Sequence, residues 1–323
     1  MDLLTQGLLG SAIALAVAKP DEIKKAGLIG LLAGLAADVD FFIRSNSDPL
    51  LNLEFHRHFT HSLFFIPIAA LIISFLLWPL MHKHLAWKKI FIYSLAGYLL
   101  SGLLDACTSY GTRLLWPLSE DKISFNIISI IDPVFTVSLL LGVLLTLKSR
   151  KRIYIYTFLF IASSYMMLGW YQHNQVEQLS LKLAAERGHQ AEQLLVKPTL
   201  GNLFLWRSVY LYNNTFYVDA IRLSPLSGQT EIFPGSSIAR FYPDKHDLDI
   251  AEDSTLQKDI NRFSSFTSNY LALHPQRENI IIDVRYANLP NSTLPLWGIQ
   301  FDPLYRDASK TTRENFLAML LNR

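Results

Sequence analysis

The stretch Glu54-Phe55-His56-Arg57-His58-Phe59-Thr60-His61-Ser62 sets three imidazoles within six residues, directly before an apolar run that begins at Leu63. Neutral imidazole is a good ligand for first-row metals, and its second ring nitrogen can be fixed by a neighbouring acceptor. Asp38, Asp40, Asp105 and Asp132 lie in or at the ends of the surrounding apolar runs. A carboxylate in such a place is costly unless it is paired, hydrated or coordinated. Together these residue types point to a divalent-metal site. The competing readings are a solvated interfacial loop for the histidines and helix caps for the aspartates.

Spacing sorts the ligands. Asp38 and Asp40, two residues apart, do not share one face of a regular helix, but a change of backbone direction at a helix end can turn both toward one site. Asp38 is then the first ligand, and Asp40 a second ligand, a bridge or an orienting partner. The five-residue step from His56 to His61 favours a turn, whereas His58 and His61 align at i,i+3 if the segment is helical. The expected ligand set is Asp38, Asp40, His56, His61 and Asp105, around one or two zinc or manganese ions, since mixed imidazole and carboxylate ligation permits either metal. Such an ion can activate water and polarise a phosphoryl or acyl group. Arg57 is placed to clamp an anionic substrate or to orient a carboxylate, and His58 to shuttle a proton. Asp132 either orients a ligand or caps a helix.

The segments that must position these groups are hydrophobic. Leu3–Ala18, Ala26–Ile43, Ile66–Leu80, Ile90–Leu104, Ile127–Leu147 and Ile153–Trp170 are six apolar runs, and runs of this kind approaching about 20 residues are read as membrane spans. The fold expected is a polytopic α-helical membrane bundle of six spans followed by a strand-rich α+β domain outside the membrane. Leu3–Ala18 lacks a basic stretch before it and reads as a retained span, not a signal peptide. The connections 19–25, 81–89 and 148–152 hold three, three and four Lys or Arg, against two each in 44–61 and 108–126. The positive-inside rule puts the first group in the cytoplasm, and the metal-site residues then converge at the external interface.

The 323-residue chain changes character near residue 170. The expected division is 1–170 for the membrane metal-site domain, 171–200 for an amphipathic connecting helix, and 201–323 for a strand-rich extracytoplasmic domain. Val176, Leu179, Leu183 and Ala184 give Gln172–Leu195 its apolar helical stripe. Strands are expected at Leu203–Tyr212, Phe216–Leu223, Glu231–Phe241, Ile280–Ala287 and Leu296–Phe301, with a break at Asn213-Asn214. Thr311-Thr312-Arg313-Glu314 reads as a capping box before a terminal helix over Phe316–Leu321. A net charge of +2 without a basic stripe excludes a nucleic-acid partner. Cys107 is the only cysteine, which excludes an intrachain disulfide and cysteine-rich metal sites. The sequence holds no glycine-rich phosphate loop or dinucleotide fingerprint.

Three ordered motifs carry a family likeness: Gly34-Leu35-Ala36-Ala37-Asp38-Val39-Asp40, His56-Arg57-His58-Phe59-Thr60-His61-Ser62-Leu63, and Ser101-Gly102-Leu103-Leu104-Asp105-Ala106-Cys107-Thr108-Ser109-Tyr110-Gly111. Over about the first 170 residues the chain resembles the membrane-bound metal-dependent hydrolases of bacterial inner membranes grouped under domain of unknown function 457. It departs from their pattern at Ala37, where a proline often precedes the aspartates. The resemblance implies a multi-pass protein of the bacterial cytoplasmic membrane with a shared metal site and a hydrolase activity. A site at the external interface makes membrane lipids the surroundings and a lipid-linked or other anionic, phosphate-containing compound the expected substrate. A noncatalytic metal-stabilised scaffold or sensor is the alternative. A transporter is another, and it predicts a continuous polar route across the spans.

Overall fold

The computed structural model describes residues 1–45, 48–224, 227–244 and 254–300. The expected terminal helix over Phe316–Leu321 lies outside the described residues. The chain divides into two compact units. The first comprises Met1–Phe42, Phe55–His173 and Leu200–Leu203; the second comprises Ile43–Glu54, Asn174–Thr199 and the described residues from Phe204 onward.

The first unit is helical. Its elements are α1 (Leu3–Val17), α2 (Ile23–Ala36), α4 (Ile66–Met81), α5 (Trp87–Tyr98), α6 (Ser101–Ala106) and α7 (Pro133–Ser149), with α3 (Leu50–Phe55) running into it and α8 (Ile153–Glu186) running out of it. Close packing of α1, α2 and α5 depends on small residues. A Cβ on Gly10 would lie 2.3 Å from the Gly30 carbonyl oxygen and 2.7 Å from that of Gly97, so three backbones meet where no side chain fits. Ile68, Ile72, Phe75, Leu76 and Leu80 on α4 are exposed, as are Phe160, Met167 and Trp170 on α8. Apolar surfaces of this extent suit a lipid environment.

Six spans are not what the helices provide. Among the described residues, two are long and apolar enough to cross a membrane: the 20 residues Trp87–Ala106, counted through the turn between α5 and α6, and the 34 residues of α8. A third exists only if the bent pair Leu50–His61 and Ile66–Met81 is counted as one. Apolar composition does not fix where a helix starts and stops. The run Ala26–Ile43 leaves α-helical geometry after Ala36, where Ala37–Phe42 forms a 3-10 segment, and Ile127–Leu147 becomes helical only at Pro133. The helices left, α1, α2 and α7, have 15, 14 and 17 residues. At 1.5 Å per residue a 15-residue helix covers roughly 22 Å of a hydrocarbon core about 30 Å thick. The chain is therefore a polytopic helical region with two or three long apolar spans, followed by a strand-rich domain.

The helix expected over Gln172–Leu195 is the end of α8, which stops at Glu186; Gln193–Pro198 is strand β1. With β2 (Leu205–Tyr212), β3 (Thr215–Leu223) and β4 (Thr230–Ala239) it forms an antiparallel sheet in the order β1-β2-β3-β4. Asn213 and Asn214 both have positive φ, 47° and 59°, the geometry of a two-residue hairpin turn. Strands β5 (Leu271–His274), β6 (Arg277–Asp283) and β7 (Gly298–Gln300) make a second antiparallel sheet. Val209, Phe216, Val218, Tyr270, Ile280 and Ile282 form a shared core between the two. Helix α9 (Thr255–Thr267) is capped by Ser254, whose side chain accepts from the Gln257 N–H. Buried Arg207 fastens the loop after β6, donating to the carbonyls of Val284, Leu289, Pro290 and Ser292. Its burial lowers its pKa to about 10, against a partial rise from Asp283.

Candidate metal centre

Three elements each deliver one ligand group. The 3-10 segment after α2 carries Asp38, a short 3-10 turn at Phe59–His61 carries His61, and α6 carries Asp105. All three residues are buried, and a donor atom of each lies within 4.8 Å of the others. His61 Nε2 is 2.9 Å from Asp105 Oδ2 and 3.4 Å from Asp38 Oδ1.

Hydrogen-bonding groups face both ring nitrogens of His61. Thr60 Oγ1 donates to Asp40 Oδ2 at 2.7 Å and lies 3.0 Å from His61 Nδ1; Asp40 Oδ2 itself is 3.5 Å from that nitrogen. In the tautomer with the proton on Nδ1, Thr60 Oγ1 accepts from it, and Nε2 then presents its lone pair toward two carboxylates, where a cation would complete the arrangement. Asp38 gives the same sign: neither of its buried oxygens has a hydrogen bond of normal geometry. Imidazole plus two carboxylates is a donor set that fits a divalent ion with bonds of about 2.0–2.2 Å. The Met1 ammonium also contacts Asp105 Oδ1.

Asp40 stands beside the triad and holds the loop that bears His61. Besides Thr60, its carboxylate accepts from the Arg57 N–H at 2.7 Å and lies 3.3 Å from His56 Nδ1. Burial would raise this carboxyl, but the contacts with His56, His61 and Thr60 outweigh it and keep the pKa well below the usual carboxylate range. Arg57 has φ 59°, a left-handed conformation uncommon outside glycine. Its N–H on Asp40 and its carbonyl, which accepts from the Arg113 N–H, pin the backbone there.

The buried Arg57 side chain reaches Asp105 Oδ2 at 3.2 Å and donates to Thr108 Oγ1 at 3.0 Å. His56 packs on Tyr110 and remains part-exposed. His58 points elsewhere, with Nε2 3.5 Å from Glu120 and its ring against Phe55 and Trp116. Asp132 caps α7, accepting from the N–H groups of Val134 and Phe135, and takes a third bond from Tyr165. Asp38, His61 and Asp105 are thus brought together, whereas Asp40, His56, His58 and Asp132 are not among the three.

Residues 1–176, more than half of the chain, match the family described as YdjM inner membrane protein. The chain belongs to that family. It is a multi-pass membrane protein, and the matched region contains all three ligand residues. No curated protein and no solved structure matches the chain.

Two supporting residues were not singled out by spacing. Tyr98 donates to the Thr60 carbonyl at 2.6 Å. Gly102 lets α6 lie on the His61 backbone, because a Cβ there would sit 2.0 Å from the His61 carbonyl oxygen. Gly102→Ala is expected to push α6 from the His61 turn and reduce metal affinity about 10-fold or more, the scale of a lost orienting contact. Metal titration of the purified variant measures this; an unchanged affinity would show that the turn yields without disturbing the triad.

Proposed function

We propose that the protein is a metal-dependent hydrolase acting at the outer face of the cytoplasmic membrane. The observation that carries this reading is a buried cluster of three candidate ligands, one of which, Asp38, lines a cavity. Asp38 and Arg57 both line a cavity of about 620 Å³. Catalytic zinc sites characteristically supply three protein ligands and keep one position for water or substrate, whereas structural sites are closed by four.

Asp38, His61 and Asp105 would hold the ion, zinc or manganese, with Asp40 beside the Nδ1 side of the imidazole. Bound there, a divalent ion supplies Lewis-acid activation of water and of a phosphoryl or acyl oxygen. Arg57 sets a permanent positive charge beside Asp105 and at the cavity wall, where it orients an anionic group.

Charge along the helices supports the outer face. Of the two long apolar helices, Trp87–Ala106 starts beside Lys88 and Lys89 and carries Asp105 one residue before its far end. Basic residues at the opposite end from the site favour a cytoplasmic placement for that end.

The test uses the full chain purified in detergent, with panels of phosphomonoesters, phosphodiesters, lipid esters and peptides. Turnover of one class is expected, at least 100-fold reduced by chelation and restored by zinc or manganese. Stoichiometric metal with no turnover on any class would replace the hydrolase by a metal-stabilised scaffold.

A further inference from the structure

The cavity beside the triad is unequal along its length. Asp2, Asp38, His56 and Arg57 form its polar part, while Leu3, Leu32, Leu35, Phe41 and Phe42 are among its apolar walls. Several of those apolar side chains are open to the surroundings: Phe42 is 78% exposed, Leu3 58% and Phe41 47%. Bilayer lipid covers exposed apolar side chains elsewhere in this unit; here they continue into the lining of the cavity that holds Asp38 and Arg57, so a hydrocarbon chain lying on them reaches the polar end. Two of the residues in the polar part are carboxylates and Arg57 is the cation among them; a divalent ion beside Asp38 would turn the balance positive and suit an anion of high charge density.

We propose that the substrate is a phosphate ester of a lipid, bound with its phosphate toward Asp38 and Arg57 and its chain along Leu32, Leu35, Phe41 and Phe42. This rests on the hydrolase reading above and names its substrate class. Hydrolysis of such a compound forms one P–O bond from water and breaks the P–O bond to the lipid alcohol. A proton from that water ends on the departing oxygen, so inorganic phosphate and the free alcohol are the products of a monoester. The two ends of the cavity divide the work: the phosphate gives orientation and the chain gives affinity.

The experiment measures dissociation constants for inorganic phosphate and for ethyl, butyl, hexyl and octyl phosphate, by calorimetry on the metal-loaded full chain below the micellar concentration of each ligand. The Leu32→Ser/Phe42→Ser double variant is measured in parallel; both side chains are exposed, and metal content reports that the site persists. In the wild type, affinity is expected to rise up to roughly threefold to fourfold per added methylene while the chain remains on the wall. Inorganic phosphate should then bind at least 10-fold more weakly than octyl phosphate. The variant should bind ethyl phosphate like the wild type and lose at least 10-fold for octyl phosphate. Equal chain-length dependence in both proteins would reflect partition into detergent and overturn the lipid assignment. Equal binding of inorganic and octyl phosphate would assign a soluble phosphate compound instead. Absence of metal from the wild-type protein would overturn the hydrolase reading itself, a result separate from either of these.

Discussion

Asp38→Ala, His61→Ala and Asp105→Ala are each expected to strip the purified protein of its metal, with affinity reduced by more than about 100-fold. Loss of an orienting partner costs 10–100-fold, and removal of a direct ligand from a three-ligand set exceeds that. The three residues lie on separate segments, so a shared loss of metal cannot arise from damage to one local turn. Asp132→Ala is the control: its carboxylate caps α7 and bonds Tyr165, and losing a cap costs about 1 kcal/mol while metal is retained. Metal analysis after detergent purification, with thermal melts to show folding, measures all four. Wild-type occupancy in the three triad variants would remove the site.

Asp40 is expected to give the second large effect, in two grades. Asp40→Ala deprives the Arg57 N–H and the Thr60 hydroxyl of their acceptor in a buried setting. At about 1–3 kcal/mol for each orphaned group, the change destabilises the His56–His61 loop by roughly 2–6 kcal/mol. Asp40→Asn keeps the shape and one acceptor oxygen but removes the charge opposite the His61 Nδ1 side, and is expected to lower metal affinity 10–100-fold with a smaller stability loss. Melting and metal titration separate the two. Full metal affinity in Asp40→Asn would mean that Thr60 alone holds the imidazole.

Much of the centre was legible because its residue types are costly in apolar surroundings. Asp38, His61 and Asp105 stood out on that ground, and the structure brings them to one place. Spacing could not decide between Asp40 as ligand and Asp40 as orienter, since two carboxylates at i,i+2 diverge on a helix and can approach in a 3-10 turn. In the observed segment Asp40 turns onto the Arg57 N–H, an interaction that no side-chain pattern encodes. Tyr98 and Gly102 act on main-chain carbonyls and were invisible for the same reason.

The number of spans was misread because hydropathy reports composition and not helix ends. Asp38 sits in the apolar run Ala26–Ile43, yet the backbone tightens there and α2 ends two residues before it. The β2–β3 hairpin was readable from alternation around Asn213-Asn214. Helix α9 carried a signal that went unused: Ser254 stands three residues before Gln257, and Leu256, Ile260 and Phe263 follow helical spacing. Strand β1 was absorbed into an amphipathic stripe that ends sooner than its composition indicates.

The order in which the donors occur along the chain bears on biosynthesis. Asp38 and His61 leave the ribosome before Asp105, which follows His61 after a further 43 residues. A nascent chain that has inserted only its first helices offers two donors and a weak hold on any ion; secure loading waits for α6 to settle against the His61 turn. Metal uptake during synthesis would therefore report that the early and later segments have docked, and a chain stalled before Asp105 would emerge without its ion.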